Sequence, residues 1–291
     1  MASGDTITST LSDSLPTVIA SARIIREHEG VVPQLCDQVT LDEGTGLDWH
    51  EISLSQLTAS NITETTDLKN PQQLADSLFS IRPTMVGILV VITDRTARRI
   101  SKNVFAKTGG LAQNAIQRKK DEDGITVFDG ANTSIPGSAS TTLSFGHIAA
   151  AVTRITSNAT EPGKPPIYCV LHGFQIKDIW DELVAGVGTV PIPEGITARA
   201  LVDGWRGAIA GAQIFEDGNI GIVSTGSKGG CFAREAIVIV QGMAPRAVMV
   251  RDEALGGGAS KMYYYDEYAY GERSDNNWLY EIWSDTTAPT S

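Results

Sequence analysis

Apolar positions recur along this chain with two different periods. Leu11, Leu15, Val18, Ala22 and Ile25 are spaced by fours and threes, the stripe of one helical face. Ser12, Asp13 and Ser14 offer caps for its start, Pro16 fits a first turn, and Gly30 and Pro33 end it. The period then changes. From Trp49 to Ser55 the residues alternate, with Ile52 and Leu54 on one face and Glu51, Ser53 and Ser55 on the other. Residues 58–68 are polar and β-branched. This predicts an extended hairpin with little core of its own. A lone two-stranded hairpin is marginal in water, so this one needs a second surface to rest on, such as another copy of the chain.

Residues 81–92 predict one strong strand. Thr93 or Asp94 caps a long helical segment running to about Asp121, with a kink or break at Gly109-Gly110 and a helix-ending turn at Asp121-Glu122-Asp123-Gly124. Residues 128–140, rich in Gly, Ser and Asn, read as a connector. Beyond them the pattern predicts helices over 145–155 and 174–184. It predicts strands over 166–171, 209–215 and 233–240, with another inside 243–251. This is a mixed α/β lobe. The tail from Lys261 to Trp283 is aromatic and β-prone, and no internal repeat interrupts the order.

With 291 residues the chain is long enough for one large domain or two lobes with a buried core. Its formal charge of −11 argues against a surface given over wholly to gripping DNA. The charge is uneven, however. Arg95, Arg98, Arg99, Lys102, Lys107, Arg118, Lys119 and Lys120 face a single acid, Asp94, across residues 94–120. That segment is either a solvated face with acidic partners elsewhere in the chain or a contact surface for acidic neighbours and DNA phosphates. Cys36, Cys169 and Cys231 are too few and too scattered for a disulfide framework, which fits folding in a reducing cytoplasm. The opening residues lack the features of a signal peptide, and the longest apolar run, residues 86–92, is too short to cross a bilayer. No membrane partner is expected.

The residues that carry chemistry do not assemble into a motif. His28, His50, His147 and His172 lack metal-ligand spacing. Cys169 and His172 fall on opposite faces of one strand, which disfavours a nucleophile–base dyad. Gly226-Ser227-Lys228-Gly229-Gly230 superficially resembles a phosphate cradle. The Ser precedes the Lys, though, and a strand follows where a helix is needed, so a flexible hairpin turn is the better reading. Asp252-Glu253 is an isolated acid pair without companions. No catalytic, metal or cofactor-binding residue is assigned, and the chain reads as structural and not enzymatic.

The order of parts carries a resemblance. A helical arm, a polar hairpin, a strand, a long basic helix, a mixed lobe and an aromatic β tail together resemble the Hong Kong 97-type capsid fold of tailed double-stranded DNA bacteriophages. Local wording supports it. Residues 207–214 (Gly-Ala-Ile-Ala-Gly-Ala-Gln-Ile), 247–252 (Ala-Val-Met-Val-Arg-Asp) and 268–273 (Tyr-Ala-Tyr-Gly-Glu-Arg) are similar to strands of that family. Residues 15–34 are similar to the arm in short-tailed phages.

The resemblance implies an α+β fold in five parts. These are an N-terminal arm (1–39), an extended β-hairpin loop (40–80), a peripheral domain with a long spine helix (81–136), a mixed α/β axial domain (137–250) and a C-terminal return to the peripheral sheet (251–291). It further implies a major capsid subunit that self-assembles into pentamers and hexamers of an icosahedral shell around double-stranded DNA. Such a shell is built in the host cytoplasm and found in the virion. Portal, scaffolding and decoration proteins are the other partners it suggests, with packaged DNA touched non-specifically by the basic helix 95–120. Because the chain starts at the arm, scaffolding is expected as a separate protein. Two other readings stand beside this one: an encapsulin-like compartment shell of the same fold, and a small α/β enzyme. The enzyme would need a nucleophile elbow or a Gly-rich loop between strand and helix, and neither pattern is present.

Overall fold

The structure, a computed structural model, describes residues 30–62, 64, 71–100, 104–131, 133–185, 207–255, 257–273 and 277–289. The helix expected over 11–25 lies outside these residues. The described chain opens on a helical turn, α1 (Val32–Leu35), with Pro33 in its first turn, followed by β1 (Asp37–Thr40). β2 (Trp49–Leu54) and β3 (Asp76–Ile81) then form an antiparallel hairpin, with Trp49 opposite Ile81 and Leu54 opposite Asp76; its returning strand lies beyond the β-branched stretch 58–68 on which the hairpin was expected.

Where one strand was expected over 81–92, there are two. Arg82-Pro83 interrupts the ladder, since Pro lacks an N–H and fixes φ. Thus β3 closes the hairpin while β4 (Thr84–Thr93) joins a different sheet. Thr93 caps the next helix, its Oγ1 accepting the Thr96 amide at 3.4 Å.

α2 (Asp94–Ile100) and α3 (Val104–Asp129) make up the long helical segment. α3 runs through Gly109-Gly110 and well past Asp121, so the helix neither breaks at the glycines nor ends at the expected turn. The acids that read as a stop signal are held by distant parts of the chain. Asp121 accepts the Val32 amide at 3.1 Å, and Asp123 accepts the Tyr268 hydroxyl at 2.8 Å.

The remaining elements are β5 (Ser134–Pro136), α4 (Phe145–Thr156), β6 (Ile167–Leu171), α5 (Gly173–Ala185), β7 (Ala208–Ile209), β8 (Ala212–Glu216), β9 (Ile222–Val223) and β10 (Gly226–Ala233). After a 3-10 turn at Arg234–Ala236 come β11 (Ile237–Asp252), β12 (Ala259–Glu272) and β13 (Leu279–Asp285). The strand expected over 209–215 is a tight hairpin instead. Ala210 (φ 50°) and Gly211 (φ 95°) take the two left-handed positions of a primed turn between β7 and β8.

Two sheets organise the molecule. The smaller has the order β1-β11-β12-β4, and the larger has β5-β13-β10-β6-β8-β7 with β9 at the side of β10. The chain changes sheets at the 3-10 turn, so the strand expected over 233–240 is the end of β10 and the start of β11. It changes again after β12. β13 pairs with β10 and β5 in the larger sheet, not in the sheet that the whole tail was expected to join. β5 lies inside the expected connector 128–140, whose first residue, Phe128, is fully buried.

β6 shows why its sequence is apolar without a break. Ile167, Cys169 and Leu171 face the core beneath α4 and α5, while Val170 faces the core beneath α3. A strand covered on both faces has no polar side to show. A third, small cluster of Ile81, Val238 and Val240 receives Trp49 and Phe79 and seats the base of the hairpin.

Candidate assembly surface

The hairpin has one anchored face and one bare face. Side chains of a strand alternate, so Trp49, Phe79 and Ile81 point together to the body of the molecule. Trp49 and Phe79 meet edge to face, with ring centroids 6.2 Å apart. Arg273, which follows β12, ties this face down. Its Nε donates to Glu51 at 2.7 Å, its Nη1 reaches Asp37 at 2.7 Å, and its guanidinium lies 6.0 Å from the Trp49 ring centre. Arg273→Ala should therefore leave the core intact and loosen the hairpin base. The expected result is faster proteolysis within 49–81 at an unchanged melting temperature, read by timed digestion.

The opposite face carries Ile52 directly across from Leu78, with Leu54 beside them. These residues are 62%, 64% and 68% exposed. Leu57 and Leu74, further towards the tip, are exposed as well. The predicted assignment of Ile52 and Leu54 to one face holds. What the structure adds is that nothing among the described residues covers that face. Isolated exposed leucines are ordinary, but a contiguous apolar stripe on a projecting arm is the mark of a contact surface.

The smaller sheet offers a second such surface. α3 covers the face that carries Met262, Tyr264, Asp266 and Tyr268. On the other face Tyr263 lies between Leu89 and Val248 in the register, and the Tyr263 and Tyr265 rings stack at 6.0 Å. Leu89, Met85 and Val248 are all exposed there. Beyond Gln241, β11 has no partner on its outer side among the described residues, because β1 pairs only with residues 238–241. An unpaired strand edge is itself a template for another chain.

The basic helix is less basic in the structure than in the sequence. Continuing α3 to Asp129 adds Asp121, Glu122, Asp123 and Asp129 to the segment. Arg118 pairs with Glu122 and Lys119 with Asp123, each one helical turn on. Lys120 is buried against Asp266 at 2.9 Å. The solvated-face reading therefore accounts for the C-terminal half. The cationic surface is concentrated towards α2, where Arg251 also clamps Asp94 through two nitrogens at 2.6 and 3.0 Å, which holds that carboxyl below its usual range.

The other residues weighed for chemistry take structural places. His147 closes the capping box of α4 with Ser144, its Nδ1 2.9 Å from the hydroxyl. His172 accepts the Phe174 amide at 3.1 Å at the start of α5. Cys169 sits directly across from Cys231 between β6 and β10, and both are buried free thiols. His50 lies exposed on the hairpin, and His28 lies outside the described residues. Asp252 pairs with Lys261, and Glu253 with Arg251. Residues 226–230, expected as a flexible hairpin turn, belong to β10, an interior strand of the larger sheet. Its glycines allow Phe128 and the β6 backbone to approach closely. No described helix is long and apolar enough to cross a membrane.

No protein-family model matches the chain, and no curated protein sequence matches it. Solved structures do. The capsid of cyanophage P-SCSP1u superposes with a TM-score of 0.69 at 12% identity, covering 99% of this chain and 97% of that one. The head structure of Helicobacter pylori bacteriophage KHP40 gives 0.69 at 11%, covering 91% and 94%. The capsid of Ralstonia phage GP4 gives 0.68 at 12%, covering 92% and 94%. With the hairpin, the long helix under a four-stranded sheet and the mixed lobe in the same order over nearly the whole length, this chain has the α+β fold of tailed-phage capsid proteins.

Proposed function

We propose that the chain is a major capsid subunit that assembles with its own copies, as pentamers and hexamers, into an icosahedral shell around double-stranded DNA. The observation that carries the reading is the bare apolar stripe Ile52, Leu54 and Leu78 on a hairpin that projects from the body. Among the described residues nothing covers the stripe, and a neighbouring copy would. Many such contacts, each modest, sum to a stable shell. The fold shared with phage capsid and head structures agrees with this use.

In this reading residues 1–39 are the arm, 40–80 the extended loop, 81–136 the peripheral domain apart from β5, which lies in the larger sheet, and 137–250 the axial domain apart from β11, which lies in the smaller sheet beside β12. The closing segment 251–291 is shared, with β12 serving the peripheral sheet and β13 the axial one. Assembly takes place in the host cytoplasm and the product is the virion shell, where portal, scaffolding or decoration proteins would meet it. The basic segment 95–120 makes non-specific contact with packaged phosphates, chiefly from its α2 end.

Expression of the full chain followed by negative-stain microscopy tests the proposal, with capsomers or closed particles as the expected outcome. The double variant Ile52→Asp, Leu78→Asp should give a folded, soluble subunit with an unchanged melting temperature and no particles. Shells from that variant at the yield of the parent chain would overturn the role of the hairpin. A parent chain that stays monomeric at assembly concentrations would overturn the function.

A further inference from the structure

The point where residues 30–35 meet the long helix is held by two carboxyls that face each other. Asp121, on α3, and Asp217, in the turn after β8, are 0% and 1% exposed. Their side chains lie within hydrogen-bonding distance of one another. The donors around them are all neutral. Asp121 Oδ1 accepts the Val32 amide at 3.1 Å, and its Oδ2 accepts Asn219 Nδ2 at 2.9 Å. Asp217 Oδ1 accepts the Asn219 amide at 2.9 Å, and its Oδ2 accepts the Val31 amide at 3.5 Å. Among the described residues neither acid pairs with a Lys, Arg or His.

Two buried anions facing one another without a counterion repel strongly, and one proton between them removes the repulsion and supplies the missing donor. The neighbours do not supply that charge balance. Cys36, after α1, and Tyr270, on β12, face the same spot, and burial pushes both the thiol and the phenol upward, so both stay neutral. Asp37 and Asp123 stand further out, and their cations, Arg273 and Lys119, pair with them and not with Asp121 or Asp217.

We propose that Asp121 and Asp217 share one proton and form a pH-sensitive latch that holds the root of the N-terminal segment, residues 30–35, against α3. The two acids clamp successive backbone amides, Val31 and Val32, so the protonation state of the pair is read directly by the path of the chain. This goes beyond the shell function and does not depend on it. Burial and the facing acid raise the Asp121 carboxyl to about 7. In an opened root it would titrate near 3.9, the value of a solvated aspartate. The latched form therefore holds a proton that the opened form releases. Latching is fully present at acid pH, weakens as pH rises above about 4, and levels off above about 7.

Hydrogen exchange of the soluble full-length chain, followed by mass spectrometry of peptides covering residues 30–36, tests the latch. Protection of that peptide, corrected for intrinsic exchange, should fall about tenfold per pH unit between pH 5 and 7, the linkage for one proton released on opening. A peptide from α4, residues 145–156, should show no such slope. Asp121→Asn removes the titrating proton, and in that variant the slope at residues 30–36 should vanish; Asp217→Asn removes the facing acid but leaves the burial, so there the slope should shrink without vanishing. A flat profile in the parent chain would overturn the proposal, as would an unchanged slope in both variants. A slope equal in the two peptides would mark global unfolding and also overturn it.

Discussion

Replacing Gly230 with alanine is expected to destabilise the folded chain by about 3 kcal/mol, the scale of an overpacked core. A Cβ at position 230 would fall 2.6 Å from two ring carbons of Phe128, far inside van der Waals contact. The ring has no room to retreat. It is fully buried on α3 and packs against Phe232 with centroids 5.4 Å apart. The neighbouring Gly229 is equally constrained on the other face, where a Cβ would meet the Val170 carbonyl oxygen at 2.4 Å. The strand β10 is thus thin, so that α3 can lie close on one face, the Leu171 and Gln175 side chains close on the other, and the β6 backbone close beside it in the sheet. Denaturant midpoints of the soluble chain check this. Gly221→Ala, where a Cβ would meet nothing within 4 Å, serves as the matched control and should leave the midpoint unchanged. A Gly230→Ala midpoint equal to that of the control would refute the packing argument.

Lys120→Met should be at least as damaging at neutral pH. Lys120 is 6% exposed and Asp266 not exposed at all, with Nζ 2.9 Å from Oδ2. The other oxygen of Asp266 accepts Gln241 Nε2 at 3.1 Å and the Glu267 amide at 2.9 Å. The lysine also lies over the Tyr268 ring at 4.8 Å. Methionine fills much of the volume but leaves a buried carboxylate without its cation, a loss of about 3–5 kcal/mol.

The sign of the pH dependence follows. A buried carboxylate stranded without its cation is costly only while it is charged, so the cost is relieved at low pH and returns as pH rises. The variant's deficit should therefore shrink between pH 7.5 and pH 4.5 in urea melts. A deficit of the same size at both values would mean that lost packing, and not a stranded charge, is the cause. Adding Asp266→Leu to Lys120→Met removes the stranded charge and should recover much of the stability at neutral pH.

Both predictions sit where local sequence was misleading. Residues 226–230 read as a flexible turn because glycine and serine dominate there. In the structure they are an interior strand, and the glycines serve close approach on both faces. Nothing within ten residues signals that Phe128, about a hundred positions earlier, will lie on Gly230. The run Asp121-Glu122-Asp123-Gly124 read as a helix end for a similar reason. Asp121 and Asp123 are held by Val32, Asn219 and Tyr268, none of which is near in sequence, while Glu122 pairs with Arg118 one turn back, so the helix continues. The same continuation brings acids into a segment that looked purely basic and reduces the surface available for phosphate contact.

Other features were legible because a single period carries them. In α4, Ile148, Ala151, Val152 and Ile155 are buried at the spacing that predicted the helix. In β6, the unbroken apolar run predicted a strand, and the structure covers it on both sides. In the hairpin, alternation placed Ile52 and Leu54 on one face before any coordinates did. Alternation could not say which face would be covered. That depended on Arg273 and the Val238–Val240 core, which hold Trp49 and Phe79 and so leave the leucine side bare.

The amino-acid order by itself determined the helices α4 and α5, the strand β6 and the apolar face of β2, and it holds no spaced catalytic or metal motif. These are properties of neighbours along the chain, where periods of two and 3.6 residues are read directly. Only the tertiary structure decided where a strand breaks to serve two sheets, where β13 returns, and which acids end up paired, latched or stranded. Those depend on contacts between residues a hundred or more positions apart, and the burial that makes them strong exists only once the chain has folded.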